Sequence, residues 1–305
     1  MSMTKLAFVF PGQGAQTVGM GKELAREFPL VREYFQRADE ALGFSLSKLC
    51  WEGPAQQLTM TENAQPAIVT LSTAVAALVE QETGLVPQAG AGLSLGEYSA
   101  LVSAKMLEFE TAVTLVARRG KYMQEAVSPG AGTMAAIFGL EEAKLREICA
   151  SIPGVVEPAN FNCPGQVVVS GEIAAVTSLV AAATAAGARR AMQLEVSAPF
   201  HSSLLKPAAE RLAHDLAQIN FSEPRFTVLS NVDAAPLSVE NVRKKLARQV
   251  ASPVLWQQCV EALAEMGVTK LVEPAPGRVL SALVKKIRKE LIVINVEQPG
   301  DLAAL

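Results

Sequence analysis

The sequence is short of several residues that common chemistries require. It holds two histidines, His201 and His214, too few to assemble a histidine-rich metal site, although carboxylates could still hold a hard cation. Its four cysteines, Cys50, Cys149, Cys163 and Cys259, are far apart, lack C-x-x-C spacing and sit among apolar neighbours, which reads as reduced core thiols. Basic residues are not in excess. With 27 Lys and Arg against 30 Asp and Glu the net charge is −3, so the general electrostatic footprint of a nucleic-acid binder is missing and no nucleic-acid partner is expected. No apolar run approaches membrane-spanning length, so no membrane association is expected. Residues 1–4 lead straight into an apolar stretch without the charged, apolar and small-residue regions of a signal peptide, and residence in the cytoplasm is the expectation.

What is present is a large potential core. Of 305 residues 50% are hydrophobic and 19% charged, which suits a globular protein of one large domain or a domain carrying an insertion. The most informative stretch is Gly92-Leu93-Ser94-Leu95-Gly96-Glu97. It fits G-x-S-x-G, where a serine occupies a tight strand-to-helix turn and small flanking residues avoid collision with neighbouring backbone. The pattern alone also allows a structural serine.

Lys5-Leu6-Ala7-Phe8-Val9-Phe10, ended by Pro11-Gly12, predicts a strand buried on both faces of a parallel sheet. The loop Gly12-Gln13-Gly14-Ala15-Gln16-Thr17 begins like a dinucleotide fingerprint, but Thr17 stands where the third glycine belongs, and nicotinamide binding is not expected. Such a loop either closes a tight turn or offers backbone N–H groups to a crevice at the carboxyl ends of the strands. Apolar spacing predicts helices over 20–42, 65–79 and 109–126. In the last of these, Arg119 lies three residues after Val116 and four before Met123 on the inward stripe, whereas Arg118 does not. An inward arginine needs an anion, which could be a structural carboxylate or the carboxylate of a bound substrate.

After the linker-like Ser128-Pro129-Gly130-Ala131-Gly132, the pattern reads β-α-β-β-α-β as far as Val196, the split arrangement of ferredoxin-like folds. Residues 129–197 are therefore expected to form an inserted subdomain, with 1–128 and 198–305 making the larger α/β part. Asn160-Phe161-Asn162-Cys163-Pro164-Gly165-Gln166 reads as a polar turn that either overhangs a cleft or closes a hairpin. Pro199 sets the entry into a helix reaching 219, which places His201 near the helix start, where the positive end of the dipole would keep the imidazole neutral. His214 reads as a surface residue. Strands over 226–230, 268–273 and 291–295, alternating with helices, complete the larger part.

Taken in order, Phe10-Pro11-Gly12-Gln13-Gly14-Ala15-Gln16, Gly92-Leu93-Ser94-Leu95-Gly96-Glu97-Tyr98, Arg119-Gly120, Asn160-Phe161-Asn162 and Ala198-Pro199-Phe200-His201-Ser202 resemble the malonyl-coenzyme A:acyl carrier protein transacylase family over essentially the whole length. The resemblance implies an α/β-hydrolase-like core with a mostly parallel sheet, a ferredoxin-like insert, and transfer of malonyl from malonyl-CoA to acyl carrier protein for fatty-acid synthesis. By motif it implies Ser94 as nucleophile, His201 as base and the N–H groups of Gln13 and Leu95 as oxyanion hole. It likewise implies Arg119 as the grip on the malonyl carboxylate and the Gln249 carbonyl as orienter of the histidine; Asn160 and Gln166, in the polar stretch 160–166, are expected as further substrate contacts. No cofactor is implied, and a monomer is expected. Leu93 departs from the histidine usual in that family, which removes whatever polar contact the histidine makes. Two basic runs, Arg243-Lys244-Lys245 with Arg248 and Lys285-Lys286 with Arg288-Lys289, could meet an acidic carrier or simply face solvent. The rival classes are a serine hydrolase, which would call for an acid between Ser94 and His201, and a non-catalytic carrier-binding module.

Overall fold

The computed structural model describes residues 5–128, 130–274 and 276–305. The expectations that fall on 1–4 and on Pro129 lie outside them. The apolar run at the start forms β1 (Lys5–Phe10), buried from Leu6 onward. Around it lie β2 (Ala89–Gly92), β7 (Thr227–Leu229), β8 (Val268–Pro274) and β9 (Ile292–Val296), in the order β7-β2-β1-β8-β9. All four pairings are parallel. The chain fills one side of β1 before crossing to the other, so the carboxyl ends of β1 and β2 open side by side at the middle of the sheet. Ligands of open α/β sheets bind at such ends.

A second, four-stranded sheet is antiparallel and has the order β4-β5-β3-β6, built from β3 (Gly132–Phe138), β4 (Val156–Cys163), β5 (Gln166–Glu172) and β6 (Arg190–Leu194). Helices Glu142–Ser151 and Ile173–Ala185 pack on it around a core that includes Ile137, Leu145, Val169 and Leu179. The β-α-β-β-α-β order read from the pattern is therefore present. Backbone ties this sheet to the segment after Gln249: Phe161 N donates to Val254 O at 2.9 Å, and Val254 N donates to Ala159 O at 2.8 Å.

Several expected elements differ in detail. The stretch 20–42 is two helices, Lys22–Glu27 and Pro29–Leu42, separated by extended Phe28, because the ring of Pro29 crowds the preceding residue out of the helical region. The helix expected from 65 begins at Thr61, keeps Pro66 inside, and runs to Thr83, with all but one residue from Ala64 to Val79 buried. Asn160, expected in a turn, lies within β4, and the turn is reduced to Pro164-Gly165. Asn160 can be polar there because it lines the cavity described below. His201 does not start a helix. A three-residue 3₁₀ turn, Ser203–Leu205, comes first, and the α-helix begins only at Lys206, with Pro207 in its first turn. The proline that marks the helix start is Pro207 rather than Pro199.

The turn between β2 and helix Gly96–Ser103 has no room for side chains on either side of Ser94. A Cβ on Gly92 would lie 1.8 Å from the Gly96 carbonyl carbon, and one on Gly96 would lie 2.1 Å from Phe10 O. The helix thus rides directly on β1. Gly92→Ala should cost at least about 2 kcal/mol, because backbone on both sides must separate, as read from urea unfolding monitored by circular dichroism. A loss below about 0.5 kcal/mol would mean that the turn has slack.

Candidate active site

Ser94 occupies the left-handed region, with φ 52°, a strained setting for a residue with a Cβ, and it lines the cavity. Asn231, just beyond β7, holds the turn: its Oδ1 accepts from Ser94 N at 2.6 Å and its Nδ2 donates to Gly92 O at 2.7 Å. Sequence reasoning missed Asn231. Its one signal is a polar residue at the carboxyl end of a parallel strand, the place where such sheets keep their functional groups.

Ser94 Oγ lies 2.6 Å from His201 Nε2, and His201 Nδ1 lies 2.9 Å from Gln249 O. A carbonyl can only accept, so Nδ1 carries the proton and Nε2 is free to accept from the serine hydroxyl. His201 too has a positive φ, of 60°, and is 4% exposed. Burial, reinforced by the nearby charge of Arg119, draws its pKa down to about 4. The ring is kept neutral by burial, then, not by the helix dipole expected from the sequence, since the α-helix starts five residues on.

Arg119 is 1% exposed, as its register on helix Phe109–Glu125 predicts. NH1 donates to Gln65 Oε1 at 2.8 Å, and NH2 donates to Gln249 Oε1 at 3.0 Å and reaches Ser94 Oγ at 3.4 Å. Its Nε has no partner among the described residues, and the guanidinium stands 5.5 Å over the Tyr98 ring. Among the described residues no carboxylate lies within 4.0 Å of it. Of the two anions open to it from the sequence, a directly paired structural carboxylate is not found among the described residues. Gln65 also went unread, although a glutamine on the buried stripe of an apolar helix calls for a partner.

One carboxylate does lie deeper. Glu97 is fully buried beneath the turn; its Oε2 accepts from Asn231 N at 2.8 Å and Gln249 Nε2 at 2.9 Å, while Oε1 has no partner. Burial pushes its pKa up to about 7, against the pull of these donors and of Arg119.

Ser94, Arg119 and His201 line one cavity of about 380 Å³ together with Gln13, Leu95, Asn160 and Gln166. The backbone amides of Gln13 and Leu95 donate to no protein group among the described residues. Leu93 also lines this cavity, where it offers only an apolar surface. Gln249 itself is buried behind Ser94. The predicted residues are thus brought together, Gln249 through its backbone and side chain alike. His214 is exposed and apart, and the four cysteines are free and buried, as read from their setting. Among the described residues no cluster of His, Cys, Asp and Glu could hold a metal, and no helix is long and apolar enough to cross a membrane.

Parallel sheet, strained serine on a strand-to-helix turn and an answering neutral histidine form, in a mixed α/β protein, an arrangement suited to serine–histidine chemistry. The chain belongs to the acyl transferase family, whose domain matches residues 7–300. It is similar to the malonyl CoA-acyl carrier protein transacylase of Escherichia coli strain K12, with 47% identity over 305 residues covering 99% of each chain. Among solved structures it resembles an acyl carrier protein S-malonyltransferase from Vibrio cholerae, at 44% identity, TM-score 0.96 and 99% coverage of both chains. A further likeness is to a malonyl-transacylase in complex with its type II PKS acyl-carrier protein, at 43% identity and TM-score 0.96, covering 99% of this chain and 98% of that one.

With only two histidines in the chain, a His214→Gln variant leaves a single imidazole to follow by ¹⁵N NMR. His201 should stay neutral, protonated on Nδ1, down to about pH 5, since its pKa is about 4. Titration near pH 6.5 would show that burial does not control the ring.

Proposed function

We propose that the protein moves a malonyl group from malonyl-CoA to the phosphopantetheine thiol of an acyl carrier protein, as a step of fatty-acid biosynthesis. The observation that carries this reading is a buried guanidinium with no carboxylate within 4.0 Å among the described residues, 3.4 Å from the hydroxyl of a serine paired with a neutral histidine. The relatives' names supply the donor and the carrier, and the geometry is suited to both.

In the first half, His201 Nε2 takes the Ser94 proton as Oγ attacks the thioester carbonyl. The resulting oxyanion is met by the free Gln13 and Leu95 amides, and collapse expels the CoA thiolate, which recovers the proton from His201. In the second half, His201 takes the proton of the carrier thiol, whose sulfur attacks the Ser94 ester, and then returns the proton to Oγ. The Gln249 carbonyl steadies the imidazolium at Nδ1 in each half, doing what an acidic residue does in other triads. Arg119 holds the donor's carboxylate, and Asn160 and Gln166 contact the substrate from the antiparallel sheet. A hydrolase reading gains nothing from this arrangement, because Nδ1 is served by a carbonyl and not by an acid from between Ser94 and His201.

The finer description of the fold belongs to the same proposal: an α/β-hydrolase-like part, 1–128 and 198–305, and a ferredoxin-like subdomain, 129–197, with the cavity between them. We read the protein as a cytoplasmic monomer without nucleic-acid or membrane partners. For the carrier, the basic run on and after helix Val279–Ile287 is better placed than the run around Arg243. Val279 and Leu283 line the cavity, and Lys286 Nζ reaches 3.5 Å from Gln166 Oε1, whereas Lys245 is paired with Asp233 at 3.0 Å and Arg243 bonds Ile219 O.

Three outcomes test the reading. Ser94→Ala should gain no malonyl mass after incubation with malonyl-CoA and denaturation; retention of the adduct would remove Ser94 from the role. Arg119→Ala should lose about 10- to 100-fold in kcat/KM for malonyl loading, the equivalent of one charge-assisted hydrogen bond, while acetyl-CoA gains relative to malonyl-CoA. An unchanged malonyl-to-acetyl ratio would reduce Arg119 to a structural brace. Lys289→Glu, exposed in the same run, should raise KM for the carrier, more at low salt, and leave malonyl loading unchanged; carrier kinetics that ignore the substitution would move docking elsewhere.

A further inference from the structure

Glu97 is not needed by the steps above, yet it is a fully buried carboxylate joined to every reacting group. Its Oε2 accepts from Gln249 Nε2 at 2.9 Å, and Gln249 Oε1 accepts from Arg119 NH2 at 3.0 Å. The amide cannot be reversed. Its nitrogen end faces three acceptors, Glu97 Oε2, Ser94 O at 3.0 Å and Asn231 Oδ1 at 3.4 Å, whereas its oxygen end faces only a guanidinium donor. Glu97 therefore balances Arg119 through an intervening amide instead of by direct contact. This keeps a cation buried and leaves its cavity edge unneutralised.

A donor carboxylate entering the cavity puts a second anion on the same guanidinium. Two carboxylates that share one cation in a dry site oppose each other, and the proton affinity of the more buried one rises. Glu97 has a place for the proton. Oε2 already accepts two bonds and Oε1 accepts none, so protonation at Oε1 leaves both bonds in place.

We propose that Glu97 is the internal counter-charge of Arg119 and is driven toward its protonated form, with the proton taken from solvent at Oε1, when a donor carboxylate binds. No other bond is made or broken. The proposal rests on the transferase reading, since it needs that carboxylate.

The charged and titratable groups around Glu97 come from each element packed on it: Arg119 from helix Phe109–Glu125, Lys245 from helix Val242–Gln249, itself paired with Asp233, Cys259 from helix Trp256–Glu265, and Tyr98 on its own helix. Burial raises Tyr98 to about 12 and pushes the Cys259 thiol up, so both stay protonated near neutrality. His201, near 4, stays neutral. Glu97, at about 7, is the one poised to change charge.

The test is calorimetric titration of the Ser94→Ala protein, which cannot turn over, with malonyl-CoA and acetyl-CoA in buffers of low and high ionisation heat at pH 7. The acetyl arm cancels protons due to CoA itself. Malonyl-CoA should bind with up to roughly half a proton more uptake than acetyl-CoA, because a group with pKa near 7 is half protonated beforehand. For a rise of one pKa unit on binding, malonyl affinity should fall about fivefold from pH 6 to pH 8. Adding Glu97→Gln should remove both the extra uptake and the pH dependence. Equal proton counts for the two donors, with malonyl-CoA still the tighter ligand, would overturn the role of Glu97. If the two donors bind equally tightly, it is the transferase reading that fails. Should the Glu97→Gln chain not fold, by circular dichroism, the Ser94→Ala titrations decide alone.

Discussion

One buried residue, Gln249, is where the parts of the site meet, through its backbone carbonyl and its side-chain amide together. Its carbonyl fixes the His201 ring, its amide oxygen holds Arg119, and its amide nitrogen ties the backbone of Ser94 to Glu97. Its partners come from three separate stretches of chain, the turn carrying Ser94 and Glu97, the helix of Arg119 and the loop of His201, so the local rules that form any single helix or turn cannot assemble them. The assembly depends on full hydrogen bonding in a dry environment, where bonds reinforce one another and an unmatched group is costly. Moving this residue would disturb nucleophile, base and anion receptor together.

Around that hub the two sheets divide the labour. The parallel sheet supplies rigidity: helix Gly96–Ser103 sits on β1 with no intervening side chain, which sets the height of Ser94. The antiparallel sheet closes the cavity from the other side, and the backbone bonds between β4 and Val254 fix its separation from the serine. Glu157 of β4 adds a hold just beyond the histidine, accepting from Ser203 N at 2.7 Å. A cavity bounded in this way can be dry at the arginine end and open toward the basic helix.

Much of this was legible in the chain because the signals were local. The apolar run ending at Pro11, the glycines flanking Ser94, the three-and-four spacing that turned Arg119 inward and the order of strands and helices across 132–194 are each written in contiguous sequence. What escaped reading depends on contacts made at a distance. Asn160 has the composition of a turn but is held as strand by Val168 on one side and Val254 on the other. Pro199 offered a helix start that Pro207 took. Gln65 and Asn231 look like ordinary polar residues until their partners, 54 and 137 positions away, come alongside. The neutrality of His201 was expected for the wrong reason, since the surroundings that dry the ring cannot be seen from its sequence neighbours.

Ser94 and His201 both hold backbone angles that side chains with a Cβ avoid, at φ 52° and 60°. Each such position costs about 1 kcal/mol or more. The residues that would sit there most comfortably are glycine and asparagine, neither of which can serve as nucleophile or base. A copy of this protein freed from its reaction would therefore gain stability by losing its chemistry, and drift would favour those two residues at these two places. Activity here is maintained against the preference of the fold.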